Sequence, residues 1–160
     1  MQTTLVILKP SALQRSLIGE VINRFEKKGL QIVGMKMTLL TNEVLDEHYA
    51  HLKSKPFFKR IVDSMQVTPV ILMALKGLEA VDVVRAMAGS TNGRYAQPGT
   101  IRGDFSISVQ ENIVHTSDSA ESAETELKRF FKENEIFNYT QLTFDNLYAN
   151  DEIQLPKIQI

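Results

Sequence analysis

Short apolar runs alternate with amphipathic stretches along the chain, and most of its architecture can be read from that rhythm. Leu5 to Leu8 is an unbroken apolar run stopped by Pro10, which predicts a short buried strand. Ile18, Val21, Ile22 and Phe25 then recur at helical spacing, with Gly29 as a natural stop. QIVGMKMTL (31–39) predicts a second strand. From Asn42 onward Leu45, His48, Tyr49 and Leu52 share one helical face. Pro56 opens a further helical segment carrying Phe57, Phe58, Ile61, Val62 and Met65. Val70 to Leu75 predicts a third strand, and Ala80, Val83, Val84 and Met87 mark a helix ending at Gly89. From Gly89 to Gly103 the rhythm lapses, so GSTNGRYAQPGTIRG reads as a long loop, the kind that is usually functional or disordered. Ile113 and Val114 end a last strand just before His115, and Ala120, Ala123, Leu127, Phe130 and Phe131 form one helical stripe. Strands alternating with helices give an α/β or α+β class.

Composition narrows the function more than the fold. A chain of 160 residues is one domain by length, with 43% hydrophobic and 23% charged residues, ordinary for a soluble protein. A formal net charge of −1 offers no basic stripe, so no nucleic-acid partner is expected. The absence of cysteine excludes disulfides, thiolate zinc sites and cysteine nucleophiles. MQTTLVILKP has no basic region ahead of its apolar run, and no segment nears the roughly 18 apolar residues of a membrane span. A cytoplasmic protein with no membrane partner is the expectation. Asn138-Tyr139-Thr140 fits the glycosylation pattern, but without a secretion signal the match reads as accidental.

Among chemical candidates, Gly29 to Lys36 is a near miss for a phosphate-binding loop: its lysine comes one residue late, and the intervening residues are strand-like. His48 and His51, three apart on a predicted helix, have a spacing that can hold a metal. No third ligand stands near them in sequence, so they read first as two helix-surface histidines. His115 differs in its setting. Glu126 flanks the buried stripe of the last helix, and a carboxylate there needs a partner. A ring N–H from His115 could satisfy it, fixing the tautomer and leaving the other nitrogen as a nucleophile. Arg85, Thr91, Arg94 and Arg102 surround a glycine-rich backbone. Two or three of these arginines converging on one concavity would suit polyphosphate. A histidine nucleophile facing them points to phosphoryl transfer.

The motifs TLVILKP, HYAHLKSKPFF, RAMAGSTN, PGTIRGDF and NIVHTSDSAESAE, in this order and spacing, resemble the nucleoside diphosphate kinase family. The likeness runs from about Thr3 to Asn150, which implies a single domain over 1–150 and a C-terminal tail over 151–160. It implies a ferredoxin-like α/β sandwich whose four-stranded antiparallel sheet is covered by helices, assembled as a homo-oligomer. It further implies transfer of the γ-phosphate of a nucleoside triphosphate to a nucleoside diphosphate through a phosphohistidine, with Mg²⁺ carried on the nucleotide phosphates and no protein metal ligand. His115 matches the nucleophile, Glu126 the carboxylate that orients it, and Ser117 the hydroxyl behind that carboxylate. Lys9 and Asn112 match contacts to the sugar hydroxyl, with Lys9 also near the transferring phosphate beside Tyr49. Arg85, Thr91 and Arg102 match the phosphate clamp, Phe57 the ring stacked on the base, and Val109 the apolar contact opposite.

The chain departs from the family pattern at Thr116, where Gly or Ala is usual, and at Gly93, where proline is usual; the latter suggests a less rigid loop. Continuation of the likeness through NLYAN (146–150) favours a hexamer over a tetramer. The competing class is a non-enzymatic regulatory or nucleic-acid-binding module of the same fold. Such a copy is expected to lack His115, Lys9 or an arginine, and none is lacking.

Overall fold

A computed structural model describes residues 1–153. Four strands, β1 (Gln2–Leu8), β2 (Gln31–Thr38), β3 (Val70–Gly77) and β4 (Val114–Thr116), form one antiparallel sheet in the order β2-β3-β1-β4. Among the described residues seven α-helices connect and cover them: α1 (Pro10–Gln14), α2 (Ile18–Lys27), α3 (Asn42–His48), α4 (Phe58–Met65), α5 (Ala80–Ala88), α6 (Ile101–Phe105) and α7 (Ala120–Phe130). This is the expected ferredoxin-like sandwich.

The unbroken apolar run of β1 follows from its central place. Successive side chains of a strand point to opposite faces, and here both faces are covered. Val6 and Leu8 pack with Val21 and Phe25 of α2 and Val84 of α5. Leu5 and Ile7 pack on the other side with Leu45 of α3, Met65 of α4 and Leu127 of α7. The edge strand β2 instead alternates, and leaves Met35 and Met37 exposed.

Four local expectations need correction. Pro10 does more than stop β1: it opens α1, where its missing N–H is no loss. The helical face drawn from Leu45 to Leu52 is broken, because α3 ends at His48 and the chain tightens into a 3₁₀ turn over Ala50–Leu52. The predicted loop over 89–103 contains a 3₁₀ turn at Gly93–Tyr95 and the start of α6, whose N-cap Thr100 accepts from the Gly103 N–H at 3.1 Å. A five-residue helix is too short to leave a periodic signature. Finally, β4 runs through His115 to Thr116, while Ile113 lies before it with a φ of 72°.

Gly93 is not a loose point. Its N–H donates to Ser108 O at 3.1 Å, and a Cβ there would stand 2.4 Å from Ser106 O. Close approach of two backbones therefore demands glycine. After α7 the chain returns along β2, with Phe137 N–H donating to Val33 O at 2.7 Å and the Tyr139 hydroxyl donating to Ile32 O at 2.6 Å. Of the tail expected over 151–160, residues 154–160 lie outside the described residues. Among the described residues no helix is long and apolar enough to cross a membrane.

Phe25 is fully buried between α2 and the sheet. Phe25→Ala should lower stability by roughly 3–5 kcal/mol, read from urea unfolding. A loss below about 1 kcal/mol would contradict this placement of the core.

Candidate active site

β4 is only three residues long, yet its register with β1 decides where chemistry can occur. His115 is paired with Ile7 and Thr116 with Val6, so Thr116 is extended backbone, as its side chain prefers. No hydrogen bond of the Thr116 hydroxyl is found among the described residues. Just ahead, Val114 N–H donates to Asn112 O at 2.8 Å around Ile113, a tight three-residue turn. A positive φ at a β-branched residue is strained, and the turn persists because Lys9 N–H also donates to Ile113 O at 2.9 Å and the Ile113 side chain is fully buried. Asn112 is thereby turned toward Lys9. Its Oδ1 accepts from Lys9 Nζ at 2.6 Å, and its Nδ2 donates to Thr91 O at 2.8 Å.

Glu126 comes from the second turn of α7, a helix whose N-cap Ser119 accepts from Ser122 N–H at 3.0 Å. Its Oε1 lies 2.9 Å from His115 Nε2, and its Oε2 accepts from the Ser117 hydroxyl at 2.5 Å. Burial raises the Glu126 carboxyl, but the bonds from His115 and Ser117 outweigh it and hold the group below its ordinary value. Because an ionised carboxylate only accepts, the His115 proton belongs on Nε2, leaving the Nδ1 lone pair free. The pairing inferred from the helical position of Glu126 is present.

His48 was misread. It is buried beneath this pair, with its ring 4.5 Å from that of His115, while His51 is exposed. Arg129 Nη1 lies 3.4 Å from His48 Nδ1, and Arg129 Nε donates to Glu47 Oε1 at 2.8 Å. An arginine can only donate, so His48 Nδ1 is the acceptor. Burial, and then His115, push His48 down to about 3, so the ring is neutral. His48, His115 and Glu126 are near enough to share a metal ion, but Arg129 already holds His48 Nδ1 with a positive charge. Spacing after the core residue Leu45 was the sequence signal for its burial.

A cavity of about 1020 Å³ opens in front of His115. Lys9, Arg85 and Arg102 line it, together with Thr91 and Tyr49. Arg102 is buried, its guanidinium donating to Gly89 O at 2.6 Å and Val114 O at 2.9 Å, which fixes it between the end of α5 and β4. Burial, and then Arg85, lower it to about 10. Burial, and then Arg102, lower Lys9 to about 8. None of these three cations forms an ion pair with a carboxylate among the described residues. Burial likewise raises the Tyr49 phenol.

Phe57, at the N-terminus of α4, and Val109 also line the cavity, both partly exposed. Ser117 stands behind it, reaching it only through Glu126. Arg94 does not take part: it donates to Ile107 O at 3.3 Å. The glycine stretch that nearly matched a phosphate loop is elsewhere, with Gly29 closing α2 and Gly34 inside β2.

A histidine with one free nitrogen, set beside unpaired cations and an aromatic ring in one cleft of an α/β sandwich, defines a nucleotide phosphotransferase. The profile of the family described as nucleoside diphosphate kinase matches residues 2–136. A nucleoside diphosphate kinase of Parabacteroides distasonis is 65% identical over 152 residues, covering 95% of this chain and 99% of that one. One from Pyrococcus abyssi is 53% identical over 141 residues, covering 86% and 89%. The structure of the Halobacterium salinarum nucleoside diphosphate kinase in complex with CDP superposes with a TM-score of 0.90 at 36% identity, covering 92% of this chain and 99% of that one. The chain belongs to the nucleoside diphosphate kinase family. It is an enzyme that moves a phosphate from a nucleoside triphosphate to a nucleoside diphosphate, and the non-enzymatic alternative is not favoured.

The depressed value of His48 has a consequence for acid stability. Between its ordinary value near 6.5 and about 3 the unfolded chain binds a proton that the folded one refuses, so stability falls as pH drops through that window. The slope is about 1.4 kcal/mol per pH unit for one proton. Urea midpoints taken from pH 7 to pH 5 should fall more steeply for wild type than for His48→Gln, and parallel slopes would reject the assignment.

Proposed function

We propose that His115 Nδ1 is the nucleophile of a two-step, ping-pong transfer. Its lone pair attacks the γ-phosphorus of a nucleoside triphosphate as the bond from that phosphorus to the β,γ-bridging oxygen breaks. The electron pair leaves with the nucleoside diphosphate. The Nε2 proton stays in its bond to Glu126, whose carboxylate stabilises the phosphorylated ring, while Ser117 orients the carboxylate. In the second step a terminal phosphate oxygen of another nucleoside diphosphate attacks the same phosphorus and the N–P bond breaks. Such transfer requires mainly alignment and charge neutralisation. Lys9, Arg85 and Arg102 are suited to the phosphates, with Thr91 as a hydroxyl donor and Tyr49 beside the transferring group. Lys9 and Asn112 are suited to the sugar hydroxyl. The observation that carries the reading is the set of unpaired cations opposite a histidine whose other nitrogen is engaged by Glu126.

The donor set suits Mg²⁺ that arrives on the nucleotide. Of the carboxylates lining the cavity, Glu126 and Glu47 are engaged by His115 and Arg129, which leaves Asp118 and Glu121 exposed at the rim. An ion there would take most of its ligands from phosphate and water, as Mg²⁺ prefers. When bound it would supply charge neutralisation on the phosphates. That a relative was solved in complex with CDP supports nucleotide binding by this chain. Phe57 and Val109 would hold the base by stacking and apolar contact, which admits purine and pyrimidine, ribose and deoxyribose. We place the enzyme in the cytoplasm, maintaining nucleotide and deoxynucleotide pools.

We further propose a homo-oligomer, a hexamer rather than a tetramer. Exposed Met35, Met37 and Leu39 along the β2 edge, and exposed Tyr95 and Ile107 near the 93–98 segment, are apolar surfaces suited to covering by further copies.

Three measurements test these readings. Incubated with ATP and Mg²⁺, the protein should acquire an acid-labile, alkali-stable phosphate, absent from His115→Ala. Label that persists in that variant, or kinetics demanding a ternary complex, would overturn the nucleophile assignment. Phe57→Ala should weaken binding of every nucleotide to a similar extent, by roughly 1–3 kcal/mol. A loss confined to one base would refute the stacking role. Light scattering at micromolar concentration should give six chains; a stable tetramer or dimer would reject the hexamer.

A further inference from the structure

A polar network joins the two walls that hold Phe57 and Val109. Arg60 is one turn beyond Phe57 on α4, and Gln110 follows Val109. Arg60 Nε donates to Gln110 Oε1 at 3.0 Å. Gln110 Nε2 donates back to Arg60 O at 3.3 Å and to Glu111 Oε1 at 3.1 Å, and Glu111 Oε1 also accepts from the Ser64 hydroxyl at 2.6 Å. The Gln110 carbonyl in turn accepts from Lys9 Nζ at 3.2 Å. Arg60 and Gln110 both line the cavity.

This network does two things to Arg60. It removes much of the rotamer freedom that makes an exposed arginine a weak ligand, so less ordering remains when a ligand binds. It also engages only Nε. Among the described residues Nη1 and Nη2 have no partner, so the outer edge of a planar donor fork is left free in the cavity that Phe57 also lines.

We infer that Arg60 makes the base slot selective for bases that present acceptors on their outer edge, guanine first. This rests on the proposed seating of the base between Phe57 and Val109. A guanidinium can only donate. Guanine offers O6 and N7 to it as a matched pair, whereas adenine offers N7 beside an amino group that also donates. Uracil and thymine present one carbonyl, O4, and cytosine presents an amino group. Stacking admits every base, and Arg60 then ranks them. Glu111 and Ser64 act on that ranking only by holding Gln110.

The test is the ratio of dissociation constants for GDP and ADP on the unphosphorylated protein, measured by calorimetry, with inosine diphosphate as the third ligand. Inosine keeps O6 and N7 but lacks the 2-amino group. Wild type should bind GDP and inosine diphosphate alike, each about fivefold or more tighter than ADP. Arg60→Ala should bring that ratio close to one. Arg60→Lys, which keeps the charge but loses the fork, should keep less than half of it, and Gln110→Ala should reduce it in part. An unchanged ratio in Arg60→Ala would overturn the inference, and so would an equal loss for all three ligands or a wild type that favours GDP but not inosine diphosphate. Because no phosphoryl transfer is measured, failure of the His115 assignment would show separately, as a missing phosphoenzyme with the binding ratio intact.

Discussion

The carboxylate of Glu126 lies on the inner side of α7, where an unpaired charge is costly to keep. The fold answers with two donors from β4 and the turn after it, His115 on one oxygen and Ser117 on the other. That single requirement ties a three-residue edge strand to a helix eleven residues long. Ser117 also accepts the Leu5 N–H at 3.3 Å, so the same group holds the carboxylate and the centre of the sheet. His115 is therefore braced through the core.

Around this pair the electrostatics are unbalanced in one direction. Lys9 and Arg102 are lowered by burial and by neighbouring positive charge, and carbonyl oxygens or Asn112 satisfy part of their hydrogen-bonding capacity without neutralising them. Cations so placed, with no carboxylate partner, suit a polyanion. The tight turn at Ile113 belongs to the same economy of space, since it turns Asn112 toward Lys9 and lets β4 begin where His115 must stand. The Phe57 end of the cleft is built differently, from an exposed ring and a polar network that joins Arg60 to Gln110.

Much of this was legible in the chain. The three longer strands and α2, α5 and α7 have apolar periodicities long enough to read. Glu126 was flagged because its helical position conflicts with its charge. His48 was not: its spacing after Leu45 hints at the core, but a histidine near an apolar face decides the matter only once Arg129 and Phe130 of α7 stand against it. The strain at Ile113 and the buried role of Gly93 also escaped, because each depends on a backbone meeting a distant one. Arg60 and Gln110, fifty residues apart, carry no sequence signal of their meeting.

Local patterning thus determined what is local: which segments are strands or helices, and which residues carry chemistry of a kind found in one family. Those follow from side-chain periodicity and residue type, properties that neighbours along the chain impose. Tertiary structure alone decided which nitrogen of His115 is free and which cations stay unpaired. It also decided that two walls of the cleft are latched together. Each of those depends on groups far apart in sequence that share a few ångströms of low-dielectric space, where a missing partner is felt and a present one fixes geometry.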